Sequence, residues 1–438
     1  MKTAFVVPPR VSEGFSLAED CCWGLVHSRY LPAALLAAAS QMEDAFFLDL
    51  TIDPVESLLK MEPDLIVYSL FPSFTVAREL HSVMSKICGD VPKAVLGVPP
   101  GYMEDYARLE PNPFCVVYSE PEAVFSDFQE DELIEWRTRS SGTAWMDDGE
   151  FHKGEPLRTC IHDIKGTNWD LVPPSYWFHY DRVIYQASRG CPWRCNFCVW
   201  GGSTVTDRTF RMRPAEQVAT DLTNLRVTTD KYLKLLRPIP LQLLSAQLTT
   251  DIDWIWEYFC LMEENPYPFQ GNINLRELTE ERLMLLEQAG MDQFFAGLEA
   301  LTDPLLQRMN KPHDFEDIIR SIKILNEADV NYSLKLISGG YGETQTEIGE
   351  CRGNIRTMRK RGIDHSKIIM GGPLVYYKGT VIGEDPPGEL AYDMRHKGLR
   401  QRHIHADEWV EVRVELKKHN LLDEVNSDYP VRRLKRPI

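Results

Sequence analysis

The 438-residue sequence contains no apolar run that approaches the length of a membrane span, which needs about 20 residues. The residues after Met1 also lack the apolar core and cleavage site of a signal peptide, so we expect a cytoplasmic protein with no membrane contact. Acidic side chains outnumber basic ones, 65 to 48, and the net charge is −17. A nucleic-acid surface needs a basic field, so no nucleic-acid partner is expected.

Several motifs of common cofactor sites are missing as well. No G-x-G-x-x-G follows the first predicted strand, which argues against a dinucleotide there. The ten cysteines are irregularly spaced except at one place, so they do not form a disulfide framework. The sequence contains one C-x-x-C unit, Cys195 to Cys198, and no second one, whereas structural zinc sites usually have paired units.

What the sequence does contain is two stretches in which short apolar strands alternate with helices. Residues 1–125 predict a Rossmann-like parallel sheet, residues 126–180 a linker, residues 181–375 a partial (β/α)6 barrel of the TIM type, and residues 376–438 a small C-terminal extension. The fold class is therefore α/β, with functional groups expected at the carboxyl ends of the strands. The predicted strands are 4–7, 45–50, 65–70, 94–98, 115–118, 183–188, 241–244, 272–275, 293–298, 332–337 and 368–370. The predicted helices include 31–40, 252–262 and 315–327.

One cysteine group stands out because it directly follows the first predicted barrel strand. Cys191, Cys195 and Cys198 lie within eight residues, in the run S-R-G-C-P-W-R-C-N-F-C. Three thiolates can hold three corners of a four-iron four-sulfur (4Fe-4S) cluster and leave the fourth iron open for a substrate. A zinc site, or a chance group of buried cysteines, is the alternative.

This C-x-x-x-C-x-x-C loop resembles that of the radical S-adenosylmethionine (SAM) superfamily. The resemblance implies that Cys191, Cys195 and Cys198 ligate the cluster and act in catalysis, with Phe197 against the adenine of SAM. It further implies that SAM is cleaved reductively to methionine and a 5′-deoxyadenosyl radical. An electron donor such as flavodoxin or ferredoxin would then be a partner, and the substrate would be a small molecule or peptide.

Further segments are similar to the subgroup with an N-terminal cobalamin-binding-like domain. They include Gly297-Leu298-Glu299-Ala300 with Leu305, Met309 and Lys311, the Asn274-Leu275-Arg276 segment, and the turn with Gly339 and Gly340; Ser119-Glu120-Pro121-Glu122 and Arg211-x-Arg213 also fit. The resemblance assigns Glu299, Arg276, Gly339 and Gly340 to SAM binding. A local ion pair for each charged residue and a tight turn for the glycines remain the alternatives. The second barrel strand, 241–244, departs from the subgroup, since Leu244-Ser245-Ala246-Gln247 stands at its end, where many relatives place acidic residues.

The resemblance leaves cobalamin open. Cobalamin mutases use the histidine of a D-x-H-x-x-G motif, and neither His27 nor His81 lies in one. If cobalamin binds, we expect it between residues 1–125 and the cluster, lined by residues 16–30 and 96–102, without a histidine ligand. The first hypothesis is a cobalamin-dependent methyltransferase acting on an unactivated carbon. The second is a cobalamin-independent radical SAM enzyme, for a rearrangement or oxidation, with a structural N-terminal domain. An iron–sulfur protein without turnover is the third.

Overall fold

The structure is a computed structural model of the chain, and it confirms the α/β class with a Rossmann-like sheet followed by a partial barrel. It describes residues 1–9, 30–70, 74–98, 100–126, 128, 133–157, 161, 163–201, 209–233, 238–245, 247–371, 374–384, 390–393, 398–401 and 406–417. Within these ranges, no helix is long and apolar enough to span a membrane.

The first sheet has seven strands, of which the first five in spatial order are parallel. In that order they are β3 (Ala45–Asp49), β1 (Thr3–Val7), β4 (Leu65–Ser69), β5 (Lys93–Leu96), β6 (Cys115–Val117), β7 (Thr143–Asp147) and β8 (Glu150–Lys153). The helices of this part are α1 (Ala33–Ala39), α2 (Val55–Lys60), α3 (Phe74–Cys88), α4 (Met103–Ala107), α5 (Pro121–Ser126) and α6 (Leu133–Arg139). Both faces of β4 are buried, as its continuous apolar sequence predicts.

The middle of the segment expected to be a linker is part of this sheet. Helix α6 leads into β7 and β8, which form a hairpin that adds antiparallel strands to β6. The turn between them contains Asp148 and Gly149, both with positive φ, 47° and 82°. Two such residues suit the tight turns that fit strand twist, so this acidic turn closes a hairpin where we expected a linker. The predicted domain boundaries stay predictions.

The second sheet is entirely parallel and carries the barrel. In spatial order its strands are β16 (Ile368–Met370), β15 (Tyr332–Leu336), β14 (Met291–Glu299), β13 (Phe269–Asn272), β12 (Leu241–Leu244), β9 (Arg182–Gln186) and β2 (Tyr30–Pro32). Its helices are α7 (Ala215–Leu233), α8 (Ile252–Met262), α9 (Glu280–Gln288), α10 (Asp303–Arg308), α11 (Phe315–Glu327) and α12 (Gln345–Lys360). Each of the six barrel strands overlaps a predicted strand, although the overlap at β13 is one residue.

Strand β2 corrects the prediction of a helix from residue 31 onward. Tyr30 and Leu31 are buried, and Tyr30–Pro32 pairs in parallel with β9. Proline disfavours the helical conformation for the residue before it, so Leu31 is extended and α1 begins only after Pro32. The N-terminal part of the chain thus supplies an edge strand to the barrel sheet.

Strand β13 (Phe269–Asn272) begins at residue 269 and not at 272 as predicted, so it lies a few residues earlier in the chain. The strand ends at Asn272, and the backbone N–H of Arg276 donates to the Asn274 side chain at 2.9 Å. Such a local side-chain bond favours a turn over an extended strand. Residues 274–276 therefore form the loop at the carboxyl end of β13, at the mouth of the barrel.

A short alanine-rich helix joins the two sheets. Helix α1 packs against β1 and β3 of the first sheet and against β9 of the second. Its Ala37, Ala38 and Ala39 are buried, and their small side chains allow close approach. One apolar core therefore runs from one face of the first sheet through α1 into the barrel, while a second core covers the other face of the first sheet.

The C-terminal extension has described structure of its own. Strands β17 (Val375–Tyr376), β18 (Leu390–Asp393) and β19 (Gly398–Gln401) form a small antiparallel sheet. They flank α13 (Val381–Glu384), and α14 (Ala406–Lys417) then packs along α12. Buried Glu415 of α14 pairs with Arg359 of α12 at 2.8 Å. The extension is therefore attached to the last helix of the barrel.

Candidate active site

The cysteine loop lies at the carboxyl end of β9. A two-residue strand, β10 (Ser188–Arg189), follows β9 and pairs with β11 (Arg211–Met212) before the chain turns at Gly190. Gly190 has φ of 67°, a conformation that glycine adopts without strain. The strand and turn place Cys191, Cys195 and Cys198 at the mouth of the barrel, where parallel-strand enzymes hold their functional groups.

The loop is tied to the turn after α10. The backbone N–H of Asn196 donates to the carbonyl of Met309 at 3.2 Å, and its side chain donates to the carbonyl of Arg308 at 2.6 Å. In return, the side chain of Asn310 donates to the carbonyl of Arg194 at 2.6 Å. These bonds on both sides of Cys195 fix the loop against the barrel before any ligand is present.

The three thiols share an environment that suits an iron–sulfur cluster. Burial raises the pKa of all three, that of Cys191 to about 12, and Cys191 is raised further by the other two thiols. Backbone N–H groups of Trp193 face Cys191, and those of Trp200 and Gly201 face Cys198. Buried thiols with N–H donors match the setting in which cluster sulfurs are held and tuned. The residues therefore fit a cluster.

A cluster takes each cysteine on a different iron, so its ligands stand further apart than those of a single ion. Among the residues that the structure describes, no three side chains of His, Cys, Asp or Glu are grouped to hold one metal ion.

Glu299 and Lys311 form a buried pair beside the thiols. Lys311 Nζ lies 3.3 Å from Glu299 Oε1, and both side chains are largely buried. Burial lowers the pKa of Lys311, but Glu299 and the thiols of Cys195 and Cys198 raise it, and the net shift is upward. The ammonium also lies 6.0 Å from the centre of the Phe197 ring. The site therefore brings Phe197 and Glu299 together around one cation.

Gly297 explains the spacing of the Gly-x-Glu segment. A Cβ at Gly297 would lie 2.0 Å from Glu299 Oε1, so the carboxylate occupies the space that glycine leaves. Glu299 itself has φ of 63°, where β14 and β15 shift register. Positive φ in a non-glycine residue is uncommon and is often found at functional sites. The strand thus ends in a distorted turn that directs Glu299 back toward Lys311.

Arg276 lies on the rim of the barrel and is exposed. Its side chain donates to the carbonyl of Pro312 at 3.1 Å and lies 5.9 Å from the centre of the Trp193 ring. A cleft of about 680 Å³ opens there, lined by Trp193, Ile252, Arg276, Glu277, Thr279, Glu281 and Arg282. The structure therefore places Arg276 beside the cysteine loop, whereas the carboxylate of Glu299 pairs with Lys311.

The glycine turn after β15 contacts three neighbouring segments. Gly339, with φ of 106°, accepts a bond from the backbone N–H of Leu374, and Gly340 packs so closely on Leu305 that a Cβ would lie 2.9 Å from it. The carbonyl of Tyr341 accepts a bond from Arg308. The turn therefore supports the segment that also anchors the cysteine loop.

The N-terminal part meets the barrel through a buried charge cluster. Glu122, at the start of α5, pairs with Arg189 and, at 3.2 Å, with Arg213. Glu120 pairs with Arg211. Burial raises the pKa of Glu122, but the two arginines lower it more, so its pKa lies below the usual value. Two segments that the sequence analysis treated separately, 119–122 and 211–213, are thus partners.

Three residues around the site, Lys311, Asn196 and Glu122, were not among the site residues predicted from the sequence. Lys311 belongs to the segment with Glu299 that resembles the subgroup, and its place in that motif was the available signal in the sequence. Asn196 sits between two ligands, which alone marks it as a loop residue. The partners of Glu122 lie 67 and 91 positions away, and no local pattern reports such pairing.

His81 lies beside the apolar core that covers the other face of the first sheet, and both of its ring nitrogens have polar partners. Its Nδ1 lies 2.6 Å from the hydroxyl of Tyr68, and its Nε2 contacts the carbonyl of Pro111. Burial lowers its pKa, and the ring is fully buried. Both nitrogens are therefore engaged away from the barrel. His27, most of the predicted corrin-lining residues 16–30, and Ala246 lie outside the described residues.

Comparison with known proteins supports this reading of the barrel. Residues 185–353 match the model of the radical SAM superfamily. An anaerobic magnesium-protoporphyrin IX monomethyl ester cyclase from Cereibacter sphaeroides is 25% identical over 385 residues, 80% of this chain and 59% of that protein. A protein of the same name from Synechocystis sp. is 23% identical over 176 residues, 38% of this chain and 33% of that one. The chain thus spans less than two thirds of the length of these relatives.

Two solved structures share the fold over most of the chain. The cobalamin-dependent SAM radical enzyme OxsB, with aqua-cobalamin and SAM bound, has a TM-score of 0.64 at 16% identity and covers 95% of this chain and 56% of its own. The radical SAM methyltransferase TsrM from Kitasatospora setae, with tryptophan and a SAM analogue bound, has a TM-score of 0.66 at 15% identity and covers 87% and 75%. At these identities the likeness shows the fold alone.

The fold and the site together define a class: an α/β protein whose partial barrel carries a three-cysteine loop after its first strand. Residues 185–353, the barrel part of this chain, match the radical SAM superfamily, so the chain contains a radical SAM domain.

Proposed function

We propose that this chain reductively cleaves SAM to a 5′-deoxyadenosyl radical and uses that radical on an unactivated carbon. The observation that carries the proposal is the cysteine loop, anchored at the carboxyl end of β9 with the Glu299–Lys311 pair beside it. When bound through Cys191, Cys195 and Cys198, a 4Fe-4S cluster supplies one electron and an open iron for the SAM amino and carboxylate groups.

The side chains around the loop have distinct roles in this proposal. Phe197 offers a ring face to adenine, and Glu299 offers carboxylate oxygens to SAM hydroxyl or amino groups. Lys311 holds Glu299 in place and balances negative charge near the thiolates. Arg276 faces the SAM carboxylate from the rim. Gly339 and Gly340 shape the wall of the site.

Iron content and SAM affinity test the proposal. A variant with Cys191, Cys195 and Cys198 all changed to alanine is expected to bind no cluster, and retention of about four irons per chain would contradict the assignment. In a protein with the three cysteines intact, Arg276→Ala should weaken SAM binding by about 1.5–3 kcal/mol, the range for a hydrogen bond to a charged group. Unchanged affinity would return Arg276 to a structural role on the rim.

We further propose that cobalamin binds between the first sheet and the barrel and supplies a methyl carrier for transfer to carbon. Segments that follow strands of the first sheet contact segments that follow barrel strands at two places, and this supports the proposal. Glu122 after β6 pairs with Arg189 of β10, which follows β9, and Asp105 after β5 pairs with Lys378, which follows β17. Because His81 is engaged elsewhere, we expect no histidine ligand to cobalt from it.

A cobalamin-independent radical reaction without methyl transfer, a rearrangement or oxidation such as a ring closure, with the N-terminal part as a structural lid, is the second candidate. Both curated relatives are named as cyclases of a magnesium porphyrin ester, and one of them aligns with 80% of this chain. An electron donor such as flavodoxin or ferredoxin, and a small-molecule or peptide substrate, would serve either reaction.

Anaerobic reconstitution with hydroxocobalamin, followed by gel filtration and corrin absorbance, separates these candidates. Corrin that stays with the protein supports the cobalamin proposal. A protein that holds its cluster, cleaves SAM and retains no corrin would end the methyltransferase proposal and leave a cobalamin-independent reaction.

A further inference from the structure

Residues 374–384, here called the strap, cross the mouth of the barrel after its last strand. The strap contains β17 and α13, and Tyr376, Thr380 and Ile382 are buried in it. Nothing in the proposed function gives this segment a role. Its contacts nevertheless reach each of the parts that surround the cysteine loop.

The strap begins on the glycine turn. The backbone N–H of Leu374 donates to the carbonyl of Gly339 at 3.0 Å, and the Tyr376 ring lies 6.4 Å from that of Tyr341. The first contact of the strap is therefore with the turn that supports α10 and the loop anchor.

Its middle contacts the first sheet's domain. Lys378 Nζ pairs with Asp105 at 2.9 Å, and the backbone N–H of Lys378 donates to the hydroxyl of Tyr102 at 3.2 Å. Gly101 lies directly under this point, since a Cβ there would be 2.2 Å from the Lys378 carbonyl oxygen. Gly101 and Tyr102 belong to the segment 96–102 that we expect to line a corrin.

Its end contacts the cysteine loop itself. The backbone N–H of Ile382 donates to the carbonyl of Asn196 at 3.2 Å, and Asn196 lies between Cys195 and Phe197. Gly383 closes the local turn so tightly that a Cβ would lie 1.8 Å from the Tyr377 carbonyl oxygen. Within nine residues the strap thus connects the glycine turn, the N-terminal domain and the cysteine loop.

We propose that the strap is a positioning segment for the cysteine loop and that it makes the geometry of this loop depend on the docking of the N-terminal domain. The exposed Lys378–Asp105 pair is weak by itself. The close backbone contacts at Gly101 and Gly383 therefore carry the connection, and a single added methyl group can disturb them without changing a proposed cluster ligand. The inference rests on the cluster assignment of the proposed function.

Two alanine variants test the strap from opposite ends. Gly101→Ala forces the strap away from the N-terminal domain, and Gly383→Ala opens the strap's own turn. Gly353→Ala in α12 is the matched control, because a Cβ there meets nothing within 4 Å and its φ is ordinary. The readouts are trypsin cleavage after Lys378 in the protein without cluster, iron release to a chelator after reconstitution, and the electron paramagnetic resonance spectrum of the reduced cluster.

Both strap variants are expected to speed cleavage and iron release by about three- to tenfold, as the loss of a local contact speeds local opening, and to change the spectrum. Gly353→Ala, which slightly favours its helix, should not speed cleavage or iron release and should keep the wild-type spectrum. Faster cleavage with unchanged iron release and spectrum would overturn the inference, and so would no change in any readout. If the wild type takes up no iron, the cluster assignment fails, which is seen before any variant is compared. If Gly383→Ala does not fold, Gly101→Ala together with Asp105→Asn, which keeps the trypsin site at Lys378, decides the question.

Discussion

A single missing methyl group at Gly297 makes room for the carboxylate of Glu299. Because a Cβ there would lie 2.0 Å from Glu299 Oε1, Gly297→Ala should push the carboxylate off Lys311. Breaking a buried ion pair costs up to about 3–5 kcal/mol, and we expect the unfolding free energy to fall by up to this amount.

Denaturation of the protein without cluster measures this change, with Gly349→Ala as the control because a Cβ at Gly349 meets nothing within 4 Å. Because alanine favours a helix interior over glycine, Gly349→Ala should be at least as stable as the wild type. A midpoint of Gly297→Ala equal to that of the wild type would show that the Gly297 site can relax.

Glu122 is expected to contribute more to the free energy of unfolding than its neighbour Glu120, although each carboxylate pairs with arginine. Glu122 is fully buried between Arg189 and Arg213, while the pair of Glu120 and Arg211 is partly exposed. Removing one partner of a buried ion pair typically costs about 3–5 kcal/mol, whereas exposed pairs contribute about 1 kcal/mol or less. We therefore expect Glu122→Gln to destabilise the chain much more than Glu120→Gln in urea unfolding. Similar losses for both would contradict a special role for the buried carboxylate.

The residues of the site differ in how far the sequence alone could identify them. The cysteines were predictable because three ligands stand within eight residues after an apolar strand. Lys311 and Glu122 were not, because an ion pair depends on which segments the fold brings together. Burial decides the strength of such pairs, and no sequence pattern reports the burial of one carboxylate against another.

At the level of elements, α14 is held to the barrel through Glu343. This carboxylate accepts a bond from the Trp409 indole at 3.0 Å, and the backbone N–H of Gly340 lies 3.4 Å away. Burial, and to a smaller extent Glu347, raise the pKa of Glu343, while the bonds from Trp409 and Gly340 and the charge of Arg308 lower it; the net pKa is about 7 against the usual 4.5. The side chain therefore binds a proton more tightly in the folded chain than in the unfolded one.

This shift predicts a pH dependence of stability. Between pH 4.5 and about 7 the unfolded carboxylate loses its proton while the folded one keeps it, so the unfolding free energy falls as pH rises. Glu343→Gln should remove this fall and melt at a higher temperature than the wild type at pH 8, with a smaller difference at pH 5. Parallel melting curves of the two proteins across this range would contradict the prediction.

Elements with strong local signals were predicted with the correct bounds. The helices Ile252–Met262 and Phe315–Glu327 begin after Asp251 and Asp314, whose side chains accept bonds from the first turn. Strand β2 was missed because three apolar residues before a helix carry no periodicity, and its partner β9 lies far along the chain.

On the scale of the whole molecule, the two sheets depend on each other. β2 completes the edge of the barrel sheet, and α1 packs against both sheets. A fragment that starts at residue 163 would leave β9 as an unpaired edge and expose the apolar surface that α1 covers.

We expect this fragment to aggregate when expressed alone and to become soluble when co-expressed with residues 1–162. Gel filtration measures the outcome. A soluble monomeric fragment that binds iron would show that the barrel is an independent unit.

The placement of β2 also constrains the order in which the chain can fold during synthesis. The ribosome releases β2 (Tyr30–Pro32) long before β9 (Arg182–Gln186). The first sheet can therefore assemble while β2 still lacks its partner strand. Contacts between distant parts of a chain slow folding, and an unpaired edge is open to wrong partners in the meantime. Tyr30–Pro32 must therefore remain available for pairing until β9 emerges, which makes the nascent chain most vulnerable to misassembly midway through translation.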